Sequence, residues 1–119
     1  HWNLYRFHGS EEEFNSAVEA VKESIHIRPG HAEARLLYAT MLFQSEQYDE
    51  VLSEVQFVLD EEIMQHDALC LRGMVHMQRK QWEAAEATFQ KVLNEDPLFP
   101  LAVQKMAEVK ILKLRNRAP

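Results

Sequence analysis

The sequence predicts an all-α fold of repeated helix–turn–helix units, and three observations carry that expectation. Phe14, Tyr48 and Trp82 stand 34 positions apart. Small residues keep the same register, in Ala34, Ala68 and Ala102 and again in Ala39, Gly73 and Ala107. Apolar residues also recur in that register: Ala17, Val51 and Ala85; Val21, Val55 and Phe89; Ile25, Leu59 and Leu93. A fixed period held by several columns is the mark of stacked units, each burying a face against the next.

The elements follow in order. A helix is expected from Phe14 to Ile27. Ser10 and Glu13 have the spacing of a capping box before it, and Pro29-Gly30 ends it because proline cannot continue the hydrogen-bonded ladder. About Ala32 to Gln44 is dense in apolar residues (Leu36, Leu37, Tyr38, Met41, Leu42, Phe43), so this helix is either buried on several faces or keeps one for a partner. Tyr48 to Asp60 is amphipathic. Its exit turn has Ile63 where the neighbouring repeats have Pro29 and Pro97, which leaves that turn's geometry open. About His66 to Arg79 is apolar nearly all round, through Ala68, Leu69, Cys70, Leu71, Met74, Val75 and Met77. From Trp82, the residues Ala85, Phe89, Val92 and Leu93 give one dry face, and Asn94-Glu95-Asp96-Pro97 ends the helix. A last helix spans about 100–117, with Pro100 in its first turn. Ala39 and Gly73 fall where a first helix meets its own second helix, and a large side chain there would push the two apart.

Bulk properties narrow the function. The chain has 119 residues, 46% of them hydrophobic and 27% charged, enough for one domain with a continuous core. The chain does not begin with Met and is read as a fragment or a processed product. The single cysteine, Cys70, excludes an internal disulfide and fits a reducing compartment such as the cytoplasm. No apolar run approaches the roughly 20 residues of a membrane-spanning helix. The net charge of −6 is uneven: from Lys105 onward five basic residues face one acid, so residues 1–104 carry −10. An acidic body argues against nucleic acid. The basic end is read first as a complement to a helix C-terminal dipole, and second as a basic amphipathic surface.

These columns make the chain resemble the tetratricopeptide repeat family. Gly73, Ala85, Phe89 and Pro97 match the family's small, small, aromatic and proline positions, with Trp82 before them. The resemblance implies a single domain over 1–119: a partial first repeat (1–31), full repeats at 32–65 and 66–99, and a capping helix with a basic tail (100–119). It implies a right-handed superhelical array of about three helix–turn–helix repeats. The middle repeat departs from the pattern with Val51 and Val55. In the first, Tyr5 occupies the small column, which suggests an irregular N-terminal cap.

In this family the first helices line a concave groove that binds proteins or peptides. The corresponding positions are Leu36, Leu37, Thr40, Phe43 and Gln44 in the middle repeat and Cys70, Leu71, Met74, Met77 and Gln78 in the third. Glu33 and Asp67 flank them, and Trp2, Arg6, Gln104, Glu108 and Ile111 extend the groove. Apolar triads spaced i, i+4, i+7 lie on one helix face, and methionine suits an adaptable surface. The competing reading makes these residues core. Some family members grip the acidic tail of heat-shock chaperones with Lys, Asn and Arg. The matching positions here, Trp2, Arg6, Leu37, Asp67 and Leu71, hold one base and one acid, so that activity is not expected.

Catalysis and cofactors are not expected either. The six histidines form no i, i+4 pair and no His-Glu-x-x-His motif. His8 and His76 share a column that calls for a large packing residue. Glu11-Glu12-Glu13 and Asp60-Glu61-Glu62 read as solvated faces. No glycine-rich phosphate loop exists, and no motif supplies Cys70 with an activating base. The expected function is a non-enzymatic interaction module, an adaptor or scaffold that seats a partner helix or extended apolar peptide. The alternatives are a chaperone dedicated to a secretion or pilus-type subunit, and a segment of a longer solenoid that self-associates through Trp2, Leu4, Tyr5 and Phe7.

Overall fold

A computed structural model describes residues 10–117. Among them the chain forms six α-helices and no strand: α1 (Glu11–Ile27), α2 (Ala32–Gln44), α3 (Tyr48–Asp60), α4 (Gln65–Gln78), α5 (Trp82–Glu95) and α6 (Pro100–Arg117). The all-α expectation is borne out, with α2 and α3 beginning and ending at the predicted residues. Helices α1 to α3 and the first turn of α4 belong to one compact unit that ends at Ala68. The rest of α4, α5 and α6 form a second, beginning at Leu69. Tyr5 and the other N-terminal aromatics lie outside the described residues, as does His8.

Ser10 starts α1 as its spacing predicts. The Glu13 N–H donates to Ser10 Oγ at 3.2 Å, and three acids stand in the first turn, where the helix dipole favours them. The return half of the capping box differs: the Ser10 hydroxyl donates to Glu13 Oε1 at 3.3 Å.

The exits from the second helices divide as their prolines do. Proline disfavours helical geometry in the residue before it. Arg28 and Asp96, which precede Pro29 and Pro97, sit at φ −132° and −138°. His31 N–H then bonds Arg28 O, and Phe99 N–H bonds Asp96 O, at the same repeat position. At Ile63 the constraint is missing, and the chain turns through positive φ at Glu62 (58°) and Met64 (51°) instead.

Inside the repeats the turn carries no glycine or proline, yet it is a tight left-handed cap. Glu46 and Lys80, one period apart, have φ 61° and 58°. Gln47 N–H bonds Leu42 O and Glu46 N–H bonds Phe43 O. Gln81 N–H bonds His76 O and Lys80 N–H bonds Met77 O. This pattern closes the orphan carbonyls at the end of a helix. His76 Nδ1 lies 2.8 Å from Gln81 Oε1 across the second of these turns, so the histidine braces it.

In the first unit Arg35 of α2 joins three segments. Its Nε donates to Pro29 O at 2.9 Å, a terminal nitrogen donates to Glu54 Oε1 at 2.9 Å, and the guanidinium lies 4.0 Å from the centroid of the Phe57 ring. Val51, Val55 and Val58 of α3 have no exposed surface. In the second unit the equivalent residues of α5, Ala85, Phe89 and Val92, are equally buried. Gly73 of α4 faces Phe89 so closely that a Cβ added there would lie 2.6 Å from Cζ and 2.7 Å from Cε1. The close approach expected between a first helix and its own second helix is therefore present, and Phe89 is what requires it. Lys113 of α6 reaches back to α5, 3.2 Å from Glu86 and 3.6 Å from Glu83.

Two outcomes follow for stability. Alanine has a helix propensity about 1 kcal/mol better than glycine, yet Gly73→Ala is expected to lower stability by about 1 kcal/mol, because overpacking a close contact costs about 1–3 kcal/mol. Gly73→Leu should lie at the upper end of that range. Combining Gly73→Ala with Phe89→Leu should cost less than the sum of the single changes. Urea denaturation measures all of these, and a raised midpoint for Gly73→Ala would refute the close-contact account. Lys80→Gly should raise the midpoint, gaining about 0.5 kcal/mol as relief of left-handed strain outweighs glycine's chain entropy. A lowered midpoint would mean that the lysine stem packs usefully over the turn.

Candidate functional site

The predicted groove residues divide sharply by exposure. Leu36, Cys70 and Leu71 have no accessible surface, and Thr40 and Met74 are buried. The Thr40 hydroxyl donates to Leu36 O at 2.8 Å, within its own helix. Leu37, Phe43, Gln44 and Met77 are half-buried, and Gln78 is exposed. Phe43 packs edge-on against Tyr48 at 5.4 Å between centroids, across the α2–α3 turn. Accessible surface therefore remains at Leu37, Phe43 and Gln44 on α2, and at Met77 and Gln78 on α4. Trp2 and Arg6 lie outside the described residues. On α6, Gln104 and Ile111 are exposed, and Glu108 pairs with Lys105 at 3.0 Å.

The first unit contains a formed cleft between α1 and α2. It measures about 360 Å³ and is lined by Ala20, Val21, Ser24, His31, Glu33, Ala34 and Leu37. Two of the sequence-predicted residues, Glu33 and Leu37, are brought together there. Helix α1, which forms one wall, has no buried residue, although Ala17 and Val21 occupy columns that are fully buried in the later repeats. Sequence reasoning missed Ala20, Ser24 and His31. A ring nitrogen of His31, Nδ1, is buried without a hydrogen-bond partner, and buried polar atoms ordinarily have one. The signal for that residue was its place at the start of α2 beside Pro29-Gly30.

Burial pushes the Asp67 carboxyl above the usual carboxylate range, against the opposing pull of His66. Among the described residues no group of three or more His, Cys, Asp or Glu side chains is placed to hold a metal ion. Cys70 is fully buried, so its thiol presents no surface to a substrate. No described helix is long and apolar enough to cross a membrane.

Comparison with known proteins agrees with the helical architecture. Residues 66–99 match the tetratricopeptide repeat family, the same span that the 34-residue register assigns to the third repeat. The chain is also 33% identical over 86 residues to DnaJ protein P58IPK homolog B of Oryza sativa subsp. japonica. That alignment covers 71% of this chain and 18% of the relative, so the chain spans less than a fifth of the relative's length. Residues 66–99 are thus a tetratricopeptide repeat.

Proposed function

We propose that the chain is a protein-interaction module that seats an amphipathic helix or extended apolar peptide on its first helices, with Leu37 as an anchor. Tetratricopeptide repeats suggest protein partners, and the observation that carries the reading further is the α1–α2 cleft. Its walls are largely aliphatic and it is open to solvent. An apolar partner side chain would displace water from Val21, Ala34 and Leu37, contributing about 1.5–3 kcal/mol before association costs. Glu33 at the same cleft would favour a partner with a nearby cation. Phe43, Gln44, Met77 and Gln78 supply further contact surface on their own helices. Leu36, Thr40, Cys70, Leu71 and Met74 act by holding those helices in shape.

A second reading is a chaperone that shields an aggregation-prone segment of a client. The relative's name, a DnaJ protein, is what favours it. It uses the same cleft and differs in the client: an unfolded chain rather than one specific folded partner.

Leu37→Glu, set beside the wild type, tests the site. Leu37 is half-buried, so the variant is expected to keep its helical circular dichroism while losing a partner recovered from native cells, with affinity reduced about tenfold or more. A photo-crosslinker at Ala20 should label the same partner. Undiminished capture by a folded Leu37→Glu would remove the cleft from the function.

Asp67 gives a pH dependence whose sign is fixed by its raised carboxyl. A group with a raised folded-state pKa contributes stability that is complete below its unfolded pKa and lost as pH rises through the folded one. Asp67→Asn is therefore expected to melt at a higher temperature than the wild type at pH 7, with the difference shrinking as both are acidified toward pH 3. Thermal melts at the two pH values check this, and a constant difference would show that ionisation of Asp67 is not its cause.

A further inference from the structure

The α1–α2 pair of the first unit is the counterpart, two repeat periods earlier, of the α5–α6 pair of the second. In the α5–α6 pair a cation crosses from one helix to the other. Lys113 Nζ lies 3.2 Å from Glu86 Oε1 and 3.6 Å from Glu83 Oε1, with 19% of the lysine side chain exposed. Counting back through the register puts Ser45 in the place of Lys113, Asn15 in that of Glu83 and Val18 in that of Glu86. None of these carries a charge, so the first unit lacks the ion pair. In its place stands a second cleft of about 340 Å³, and all three residues line it.

This cleft shares no residue with the one at Leu37. Its walls come from three successive helices, α1, α2 and α3, and from the turn between the last two. In the counterpart the space is crossed by a side chain rather than by another helix. The lining is graded. Val18, Met41 and Leu42 give it an apolar floor, and Asn15, Ser45, Gln47 and Glu50 give it a polar rim at the α2–α3 turn. Glu50 is the one carboxylate in the lining, and among the described residues no hydrogen bond or ion pair holds it. At the other end the cleft's own cation is already engaged: Lys22 Nζ lies 3.7 Å from Glu19 and 6.0 Å from the centroid of the Tyr38 ring.

An apolar stem that ends in a charged head is the form of a lysine or arginine side chain. A carboxylate with neutral oxygen acceptors around it holds an ammonium or guanidinium. The charge of −10 over residues 1–104 draws cationic partners toward this part of the chain. We propose that the second cleft seats a lysine or arginine side chain of a partner polypeptide, supplied by another molecule where the later helix pair uses its own Lys113. The stem lies on Val18, Met41 and Leu42, and the head donates to Glu50 and to the side-chain oxygens of Asn15, Ser45 and Gln47. Lys22 repels a cation from the Tyr38 end and so fixes the head at the turn. The seat does not depend on the Leu37 cleft.

Nα-acetyl-lysine N-methylamide is a direct probe, titrated into the isotope-labelled chain of residues 1–119 and followed by amide chemical shifts. It should give saturable shifts at Asn15, Ser45 and Gln47 with a Kd in the millimolar range, as fits a single side chain. The norleucine analogue, which keeps the stem and lacks the ammonium, should give none over the same range. Glu50→Gln should weaken the lysine probe about threefold or more, and added salt should weaken it as well. Glu23→Gln, which alters an exposed acid of α1 outside the cleft, should leave it unchanged. Ser45→Lys combined with Val18→Glu rebuilds the ion pair of α5–α6 and should abolish the shifts at Asn15 and Gln47, because the chain then fills the seat itself. Circular dichroism of each variant separates lost binding from lost folding. The proposal is overturned by absence of saturable shifts with the lysine probe, or by equal shifts with the norleucine analogue. Undiminished binding to a folded Glu50→Gln, or to the folded double variant, also overturns it.

Discussion

The close approach of a first helix to its own second helix is the constraint on which the repeat depends. In the second unit it is carried by one contact, Gly73 against Phe89. The ring is fully buried, and its edge occupies the volume that a Cβ on α4 would need. Glycine is a poor helix residue, and its place in the middle of α4 makes sense only because the space belongs to its neighbour. The middle repeat meets the same demand differently. Ala39 and Val55 stand in the same two columns, both fully buried, so a slightly larger residue on the first helix accompanies a smaller one on the second. What the register preserves is the summed volume across the helix pair rather than the identity at either position.

Volume alone does not fix how each helix pair is joined. The left-handed caps at Glu46 and Lys80 set the reversal between first and second helix, one period apart and with the same hydrogen bonds. Around that shared turn the lateral contacts vary. In the middle repeat Arg35, Glu54 and Phe57 make a polar and cation–π connection that reaches the loop at Pro29. In the third repeat those columns hold Leu69, Thr88 and Lys91, which cannot form it. Different chemistry at equivalent positions therefore supports the same helix pairing, as expected where stability is a sum of nearest-neighbour terms.

Much of this was legible in the sequence because helix periodicity and terminators are local signals. Ser10 with Glu13, Pro29-Gly30 and Pro97 mark helix ends through their own backbone chemistry. The 34-residue columns place the remaining ends, including those of α2 and α3. The turns at Glu46 and Lys80 were not legible, since a left-handed residue is recognised by glycine or asparagine and neither is there; the conformation goes with the capping hydrogen bonds back to the preceding helix. At Ile63 the sequence carries no such terminator, and the exit turns through positive φ at Glu62 and Met64 where the proline is missing. The candidate site was legible only in part. Counting positions along a helix identifies a face, but burial depends on what the rest of the fold lays over it. That is why Leu36, Cys70 and Leu71 lie inside while Leu37 and Met77 keep surface. The cleft was hidden for the same reason, since its Ala20 and Ser24 wall belongs to a different helix and carries no motif.

Exposure then distinguishes α1 and α6 from α3 and α5. Helices α3 and α5 each bury three core residues completely, whereas α1, built on the same columns, buries none. Helix α6 buries Ala102, Met106 and Val109 and leaves Val103, Ile111 and Leu114 open to solvent. Substitutions at the fully buried positions of α3 and α5 act mainly on stability. The same columns thus build the core where they are covered and, among the described residues, leave apolar surface in water on α1 and α6, where its hydration is unfavourable.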